Sequence, residues 1–237
     1  MKKGTLFGIG VGPGDPEMIT VKAMNILKKI DVIFTASSNK NNFSIAYDIA
    51  KDYIPENTKA IDIPFPMTRD KNIRQKACME NLKLIEKEIN KGKNAAFLTI
   101  GDPLIYSTFG YLLDLIKSDF PDIPVEIIPG ITSFQMAASR VKKVLVQDNE
   151  SLLLTSGTKG KEYIENINEY IENIVILKAY RNIKSLCQTL VNNDFSNDST
   201  VVNKCGKPGE EIFDINELGE KQLDYWTLIL AKKDQAQ

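Results

Sequence analysis

"GVGPGDPEMITVKA" (Gly10–Ala23) decides the fold class of this chain. It overlaps the end of an apolar run typical of a buried strand, TLFGIGVG (Thr5–Gly12), and then apolar residues recur at helical spacing from Ile19 to Ile30. Similar strand-like and helix-like segments alternate along the first half of the chain. That alternation predicts an α/β fold, in which a largely parallel sheet is covered by helices on both faces.

The glycines of this turn do not match a phosphate-binding loop. A dinucleotide fingerprint that starts at Gly8 needs a third glycine at Pro13, and one that starts at Gly10 needs it at Asp15. Proline has no N–H to donate to a phosphate, and Asp15 and Glu17 would repel one. We therefore expect a turn built for close backbone approach. The simpler alternative is a tight turn before a helix that begins at Pro16.

The apolar patterns predict where the elements lie. Strands are predicted at residues 5–12, 31–36, 59–65, 94–100, 125–130, 151–156 and 173–180, and helices at residues 19–30, 44–54, 70–91, 108–117 and 132–141. The last third of the chain indicates strands joined by turns. SDFPDIP (Ser118–Pro124) is rich in proline and aspartate, so it predicts a linker between two α/β domains. The predicted domains are residues 1–118, with a mostly parallel sheet, and residues 119–237, with a mixed sheet.

The composition of the chain limits the ligands and the catalytic groups that can be expected. The chain has 237 residues, a net charge of −1, three cysteines and no histidine. It therefore offers no global basic field for nucleic acid, no histidine for catalysis and no histidine-based metal site, and we expect no bound metal. The dispersed cysteines indicate a reduced, cytoplasmic protein. No apolar run approaches the roughly 20 residues of a membrane span, and a first strand near Thr5 predicts no signal peptide.

Two further Gly/Pro turns follow predicted strands. They are TIGDPLIYSTFGYL (Thr99–Leu112) and IIPGITSFQMAA (Ile127–Ala138). Ligands of open α/β sheets bind beyond the carboxyl ends of the strands. Together with Gly10–Ala23 they make three such turns, which predict one ligand site.

With these three motifs the sequence resembles the tetrapyrrole (uroporphyrinogen/precorrin) methyltransferases, which use S-adenosylmethionine. It is most similar to the branch that methylates C-20 of the macrocycle, through SIAYDIA (Ser44–Ala50), FPMTRDK (Phe65–Lys71), VEIIPGITSFQMAASR (Val125–Arg140) and ESLLL (Glu150–Leu154). The resemblance implies a class III methyltransferase fold of two α/β domains, with the cofactor in the cleft between them. It also implies a homodimer, precorrin-2 or its cobalt form as substrate, and a place in cobalamin synthesis.

The resemblance also implies the residues that bind S-adenosylmethionine and its product, S-adenosylhomocysteine. At Lys178 a backbone contact is expected, and the simpler role for Asp102 is an N-cap of the helix that follows. The implied contacts are Pro13, Gly101, Asp102, Ile105, Thr132, Ser133, Leu177 and Lys178.

Catalysis and substrate binding have fewer candidates. Without histidine, a base would be a carboxylate, a tyrosine or water, and Asp102 and Tyr106 share the GDP turn; Tyr106 could equally pack against the flat macrocycle. Arg69 and Arg140 are candidates for the carboxylate arms of the substrate, because arginine binds carboxylates in bidentate fashion. The alternative for Arg69 and for Arg140 is a surface charge exposed to solvent. That alternative is stronger for Arg74 and Arg181, which are weaker candidates.

Other functions stay open at this point. The chain could be a family member that methylates another ring carbon, or a tetrapyrrole carrier that catalyses no reaction. Sibling branches methylate rRNA ribose or act in diphthamide synthesis, and the RNA-modifying function would need a basic face. A nicotinamide-dependent oxidoreductase is disfavoured by Pro13.

Overall fold

The computed structural model describes residues 2–37, 44–66, 68, 70–165, 170–219 and 221–234. The chain divides into two compact units, Met1–Thr132 and Ser133–Gln237. Each unit is built on a five-stranded sheet flanked by helices.

The first unit carries a parallel sheet in the order β3-β2-β4-β1-β5. Its strands are β1 (Leu6–Gly10), β2 (Val32–Ser37), β3 (Lys59–Pro64), β4 (Ala95–Thr99) and β5 (Val125–Ile128). Its helices are α1 (Val21–Leu27), α2 (Ile45–Ala50), α3 (Lys71–Ile89) and α4 (Phe109–Asp119).

Helices cover this sheet on both faces. One apolar cluster joins the sheet to α3 and α4, through Leu82 and Phe109 among others. The other joins it to α1 and α2, through Leu27 and Ile49. All five residues of the central strand β4 are buried, which explains its continuous apolar sequence.

The register of the central strands aligns their carboxyl ends. Gly10 of β1 lies opposite Thr99 of β4, and Ile9 lies opposite Ile128 of β5. Because these strands run parallel, the turns that follow them emerge at the same edge of the sheet.

The second unit carries a mixed sheet in the order β6-β7-β10-β8-β9. The β6–β7 pair is parallel and the other pairs are antiparallel. Its elements are α5 (Ser133–Arg140), β6 (Leu152–Ser156), α6 (Lys161–Glu165), β7 (Asn173–Leu177), α7 (Ile183–Val191), β8 (Asp198–Asn203), β9 (Glu211–Asp214) and β10 (Leu228–Lys232).

The structure confirms the two α/β sheets, one parallel and one mixed, and corrects the boundary between them. The expected linker, Ser118–Pro124, consists of the last two residues of α4 and the connection from α4 to β5, and β5 pairs with β1 inside the first sheet. The first unit therefore ends at Thr132 and not at residue 118. The same proline-rich composition fits a crossover inside one sheet and a linker between domains. Only the pairing of the next strand distinguishes the two.

The helices also differ from the sequence pattern in detail. Helix α7, whose apolar side chains pack in the core of the second unit, was not predicted as a separate element. The segment that begins at Pro16 is a short 3-10 helix, Pro16–Met18, capped by Asp15. Across the described residues, no helix is both long enough and apolar enough to cross a bilayer.

Candidate active site

The three Gly/Pro turns of the first unit meet through backbone contacts that exclude side chains. A Cβ added to Gly10 would lie 2.7 Å from the Gly130 nitrogen and would overlap the Gly101 carbonyl oxygen. A Cβ added to Gly130 would overlap that same oxygen. Because real Cβ atoms do not approach this closely, both positions require glycine. The GVGPGD, GDP and PGIT turns are thus packed into one framework.

A short bridge fixes the first two turns to each other. Gly12 and Gly101 form an isolated antiparallel bridge, in which the Gly101 N–H donates to the Gly12 carbonyl at 2.7 Å. Both glycines have positive φ, +81° and +69°. This left-handed conformation is costly for other residues, so the bridge also depends on glycine.

Asp102 joins the second and third turns. One carboxylate oxygen accepts from the Leu104 N–H at 2.8 Å, and the other accepts from the Gly130 N–H at 3.1 Å. The alternative role as an N-cap of α4 is wrong, because the N-cap residue of that helix is Thr108. The carboxylate is therefore a positioning group in the turns.

Tyr106 and Ile105 lie in the segment from the GDP turn to α4. Tyr106 has φ of +47°, in the left-handed region, and half of its surface is exposed. Backbone strain of this kind is concentrated at functional sites. Two residues that support the segment are Ser107 and Thr99, whose hydroxyls are hydrogen-bonded at 2.9 Å.

The framework suits the chemistry of S-adenosylmethionine. Pro13, Gly101 and Thr132 are buried, and Ile105 is half-buried. GVGPGD, GDPLIY and PGIT contain no lysine or arginine and two carboxylates, Asp15 and Asp102. Asp15 accepts from the Glu17 N–H, and both oxygens of Asp102 accept backbone N–H groups. The turns thus offer backbone polar groups and apolar surface with few charges, which fits a ligand that carries charges of both signs.

The remaining predicted cofactor contacts lie in the second unit. Ser133 is the first residue of α5, and Leu177 ends β7. Lys178 follows with φ of +56°. A Cβ on Gly157, the residue after β6, would lie 3.0 Å from the Lys178 carbonyl oxygen and closer still to the Ala179 Cα. The second sheet therefore also brings two strand-end turns into backbone contact, and Gly157 belongs to no motif that marks it in the sequence.

Arg140 ends α5 and faces the connection between β8 and β9. Its Nε lies 3.7 Å from a Glu210 carboxylate oxygen, and that oxygen also accepts from the Gly206 N–H. About half of the Arg140 side chain is exposed. Burial, with a further contribution from Glu210, raises the pKa of the neighbouring Cys205 thiol to about 11, although Arg140 opposes the shift. The other predicted substrate residue, Arg69, lies outside the described residues.

Residues 5–221 match the family model of the tetrapyrrole (corrin/porphyrin) methylases, which is most of the chain. The chain belongs to the tetrapyrrole methylase family.

Two relatives within the tetrapyrrole methylases carry the same activity in their names. The cobalt-precorrin-2 C(20)-methyltransferase of Salmonella typhimurium is 29% identical over 234 residues, which are 97% of each chain. A probable cobalt-precorrin-2 C(20)-methyltransferase of Methanocaldococcus jannaschii is 37% identical over 189 residues, 80% of this chain and 78% of the relative.

Solved tetrapyrrole methylase structures share the fold. A cobalamin-synthesis-related protein from Corynebacterium diphtheriae superposes with a TM-score of 0.76 at 17% identity, covering 98% of this chain and 100% of its own. Uroporphyrin-III C-methyltransferase from Thermus thermophilus, solved with S-adenosylhomocysteine, gives a TM-score of 0.68 at 19% identity and 97% coverage of both chains. At these identities the likeness shows the class III methyltransferase fold alone.

Proposed function

We propose that this chain is an S-adenosylmethionine-dependent methyltransferase that methylates C-20 of precorrin-2 or of cobalt-precorrin-2 in cobalamin synthesis. The observation that carries the proposal is the alignment, over most of the chain, with two relatives named for C-20 methylation of the cobalt form. A third relative, from a Sinorhizobium species, is named for the cobalt-free substrate and is 26% identical over 239 residues. We favour the cobalt form because the two better-matching relatives act on it by name.

The cofactor residues of the proposal lie in both units. In the first unit the turns place Pro13, Gly101, Asp102, Ile105 and Thr132 at one edge of the parallel sheet. In the second unit the proposed contacts are Ser133, Leu177 and Lys178. The bound cofactor supplies an electrophilic methyl group on a sulfonium. The Thermus thermophilus complex with S-adenosylhomocysteine supports the use of this cofactor in the family.

Methyl transfer requires the protein mainly to hold donor and acceptor in line and to exclude water. Asp102 serves that purpose by fixing the GDP turn to the PGIT turn through its two hydrogen bonds. Tyr106 is the candidate for contact with the macrocycle, since this residue of the same turn is half-exposed and has a strained backbone. If the meso carbon loses a proton after methylation, the Asp102 carboxylate or a water would accept it, and Tyr106 would take part by passing on its own hydroxyl proton as it receives the new one.

Substrate recognition is assigned to arginines. Arg140 keeps N–H groups beyond the Nε that faces Glu210, and half of its side chain is open to a ligand. Arg69 is proposed from its motif alone. A homodimer and a cytoplasmic location complete the proposal, the first from the family resemblance and the second from three unpaired, buried cysteines.

Methylation at another ring carbon is the second candidate, because a cobalt-precorrin-4 C(11)-methyltransferase of Methanocaldococcus jannaschii is 26% identical over 200 residues. The test is to incubate the protein with ¹³C-methyl-labelled S-adenosylmethionine and either precorrin-2 or its cobalt complex. We expect one methyl group per macrocycle by mass spectrometry and a ¹³C signal at C-20. A signal at another carbon would select the second candidate. Tetrapyrrole binding without any methyl transfer would identify a carrier.

A further inference from the structure

The GDP turn is fixed to the first unit at both of its ends. At its start, Asp102 accepts from the Gly130 N–H at 3.1 Å. At its end, the Ser107 hydroxyl is hydrogen-bonded at 2.9 Å to the hydroxyl of Thr99, the last residue of β4. The four residues between these anchors, 103–106, therefore connect two fixed points.

A second contact holds Ser107 against the sheet. Its hydroxyl oxygen accepts from the Phe109 N–H at 3.1 Å, and Phe109 is fully buried. A Cβ added to Gly8 of β1 would overlap the Phe109 ring. Glycine at position 8 thus makes room for that ring beside β1. The end of the GDP turn is therefore anchored to both central strands, to β4 through Thr99 and to β1 through Phe109.

Tyr106 lies directly before this anchor and has an unfavourable backbone conformation. Its φ is +47°, in the left-handed region that a residue with a Cβ avoids. Such a conformation persists only where the surrounding structure determines it. The two anchors supply this constraint, because the short segment between Asp102 and Ser107 is held at both ends. Half of the Tyr106 surface nevertheless stays exposed.

We propose that Thr99 and Ser107 are positioning residues, whose hydroxyl pair fixes the left-handed backbone of Tyr106 and thereby sets where its side chain meets the macrocycle. This assignment rests on the proposed function, in which Tyr106 contacts the substrate. Thr99 is 9% exposed and its hydroxyl is engaged by Ser107, so it acts through Tyr106 and not by touching the ligand. A misplacement of about 1 Å can cost about a hundredfold in rate, so a hydroxyl pair behind the contact residue can control the reaction.

The test is steady-state kinetics of methyl transfer to precorrin-2 and to its cobalt complex, with calorimetry of S-adenosylhomocysteine binding in parallel. Thr99→Val keeps the shape of the side chain and removes the hydroxyl. We expect it to lower kcat/KM for the tetrapyrrole roughly ten- to a hundredfold. The affinity for S-adenosylhomocysteine should stay within severalfold of the wild type, because the Asp102 anchor remains. Thr99→Ser retains the hydroxyl and should restore most of the activity.

A double-mutant cycle shows whether Thr99 acts through Tyr106. Tyr106→Ala removes the proposed contact, so by itself it should lower kcat/KM at least as much as Thr99→Val does. Adding Thr99→Val to Tyr106→Ala should then have little further effect, whereas independent residues would give effects that multiply. Multiplied effects, or a Tyr106→Ala variant as active as the wild type, would overturn the inference.

The backbone conformation has a measurement of its own. Glycine ordinarily destabilises a protein relative to alanine, because it adds conformational freedom to the unfolded chain. At a left-handed position the order is reversed, so Tyr106→Gly should unfold at a higher urea concentration than Tyr106→Ala. In the Thr99→Val background this difference should shrink, since the backbone can leave the left-handed region. The opposite order in the wild-type background would show that the backbone of Tyr106 is not strained.

The matched control is Thr35→Val. Thr35 is also a buried threonine of the first sheet, on β2, and its hydroxyl donates to another side chain, that of Asp62. Its replacement should lower the stability about as much as Thr99→Val does and leave kcat/KM unchanged. An equal loss of kcat/KM in both variants would mean that lost stability of the sheet, and not the position of Tyr106, causes the effect.

The outcomes separate this inference from the function on which it rests. If the wild type methylates either macrocycle and Thr99→Val does so equally well, the hydroxyl pair does not position Tyr106, although the proposed function stands. If Thr99→Val loses kcat/KM and cofactor affinity together, the pair supports the cofactor turn as a whole and the inference is wrong. A wild type that methylates neither macrocycle would overturn the proposed function and this inference with it.

Discussion

The Gly130 N–H donates to an Asp102 carboxylate oxygen at 3.1 Å and thereby fixes the turn after β5 to the turn after β4. The other Asp102 oxygen is held by the Leu104 N–H at 2.8 Å. One carboxylate thus sets the distance between two turns that we propose to bind the cofactor. Its negative charge is met by these two backbone N–H groups.

Asp102→Asn should weaken S-adenosylhomocysteine binding roughly ten- to a hundredfold, because the amide retains one acceptor and loses the second charge-assisted bond. Isothermal calorimetry measures the affinity, and thermal unfolding measures stability in parallel. Asp114→Asn, at an exposed position of α4, is the control and should change neither. Unchanged affinity combined with a lower melting temperature would leave Asp102 with a structural role alone.

Gly130→Ala should destabilise the first unit by about 1–3 kcal/mol or more, because the new Cβ would lie 2.8 Å from the Gly10 carbonyl carbon and overlap the Gly101 carbonyl oxygen. Gly110→Ala is the matched control: its Cβ would meet nothing within 4 Å, and the residue lies in α4. That change should stabilise the protein by about 0.4–1 kcal/mol. Urea unfolding of both variants tests the pair, and equal stability would contradict the proposed packing of the turns.

Arg140→Ala should raise the KM for the tetrapyrrole by roughly ten- to a hundredfold if the guanidinium binds a carboxylate arm, without changing cofactor affinity. Glu210→Gln provides the control, since it removes the carboxylate that faces Arg140 and leaves the guanidinium in place. If Glu210→Gln raises the KM as much as Arg140→Ala does, the Arg140–Glu210 ion pair acts by stabilising the loop after β8. An effect confined to Arg140→Ala supports direct binding.

Glu88→Gln should lower the free energy of unfolding by roughly 1–3 kcal/mol at neutral pH. Glu88 is buried near the end of α3, and its carboxylate lies 2.6 Å from the Lys91 Nζ and 3.2 Å from the Lys93 Nζ. The hydrogen bond from Lys91 lowers the pKa of Glu88, and Lys93 contributes in the same direction against the effect of burial.

The sign of the pH dependence follows from that shift. A carboxylate whose folded pKa is depressed stabilises the fold above its unfolded pKa, and this contribution is lost as the pH falls through the folded value. The stability difference between wild type and Glu88→Gln should therefore be largest near neutral pH and shrink below about pH 4.5. Urea unfolding at several pH values measures it. A difference that persists in acid would point to packing and not to charge.

Much of the fold was predictable from local pattern. The continuous apolar run of β4 and the helical spacing of α3 identify those elements, because burial on two faces and burial on one helix face leave different periods in the sequence. The short helix α7 was missed, and β5 was assigned to the wrong domain. In both cases the local sequence allows more than one structure, and the partner strand or core that decides between them lies far away in the chain.

The α/β class, the three Gly/Pro turns and the membership of the tetrapyrrole methylase family can all be predicted from the amino-acid sequence, because they depend on short motifs and on their order. Three contacts become visible in the folded chain alone: Gly10, Gly101 and Gly130 touch, Asp102 bonds to Gly130 and does not cap α4, and Lys207 lies over Trp226. Each of these contacts joins residues 19 or more positions apart. Their proximity is set by strand pairing and sheet register, which no local pattern in the sequence records.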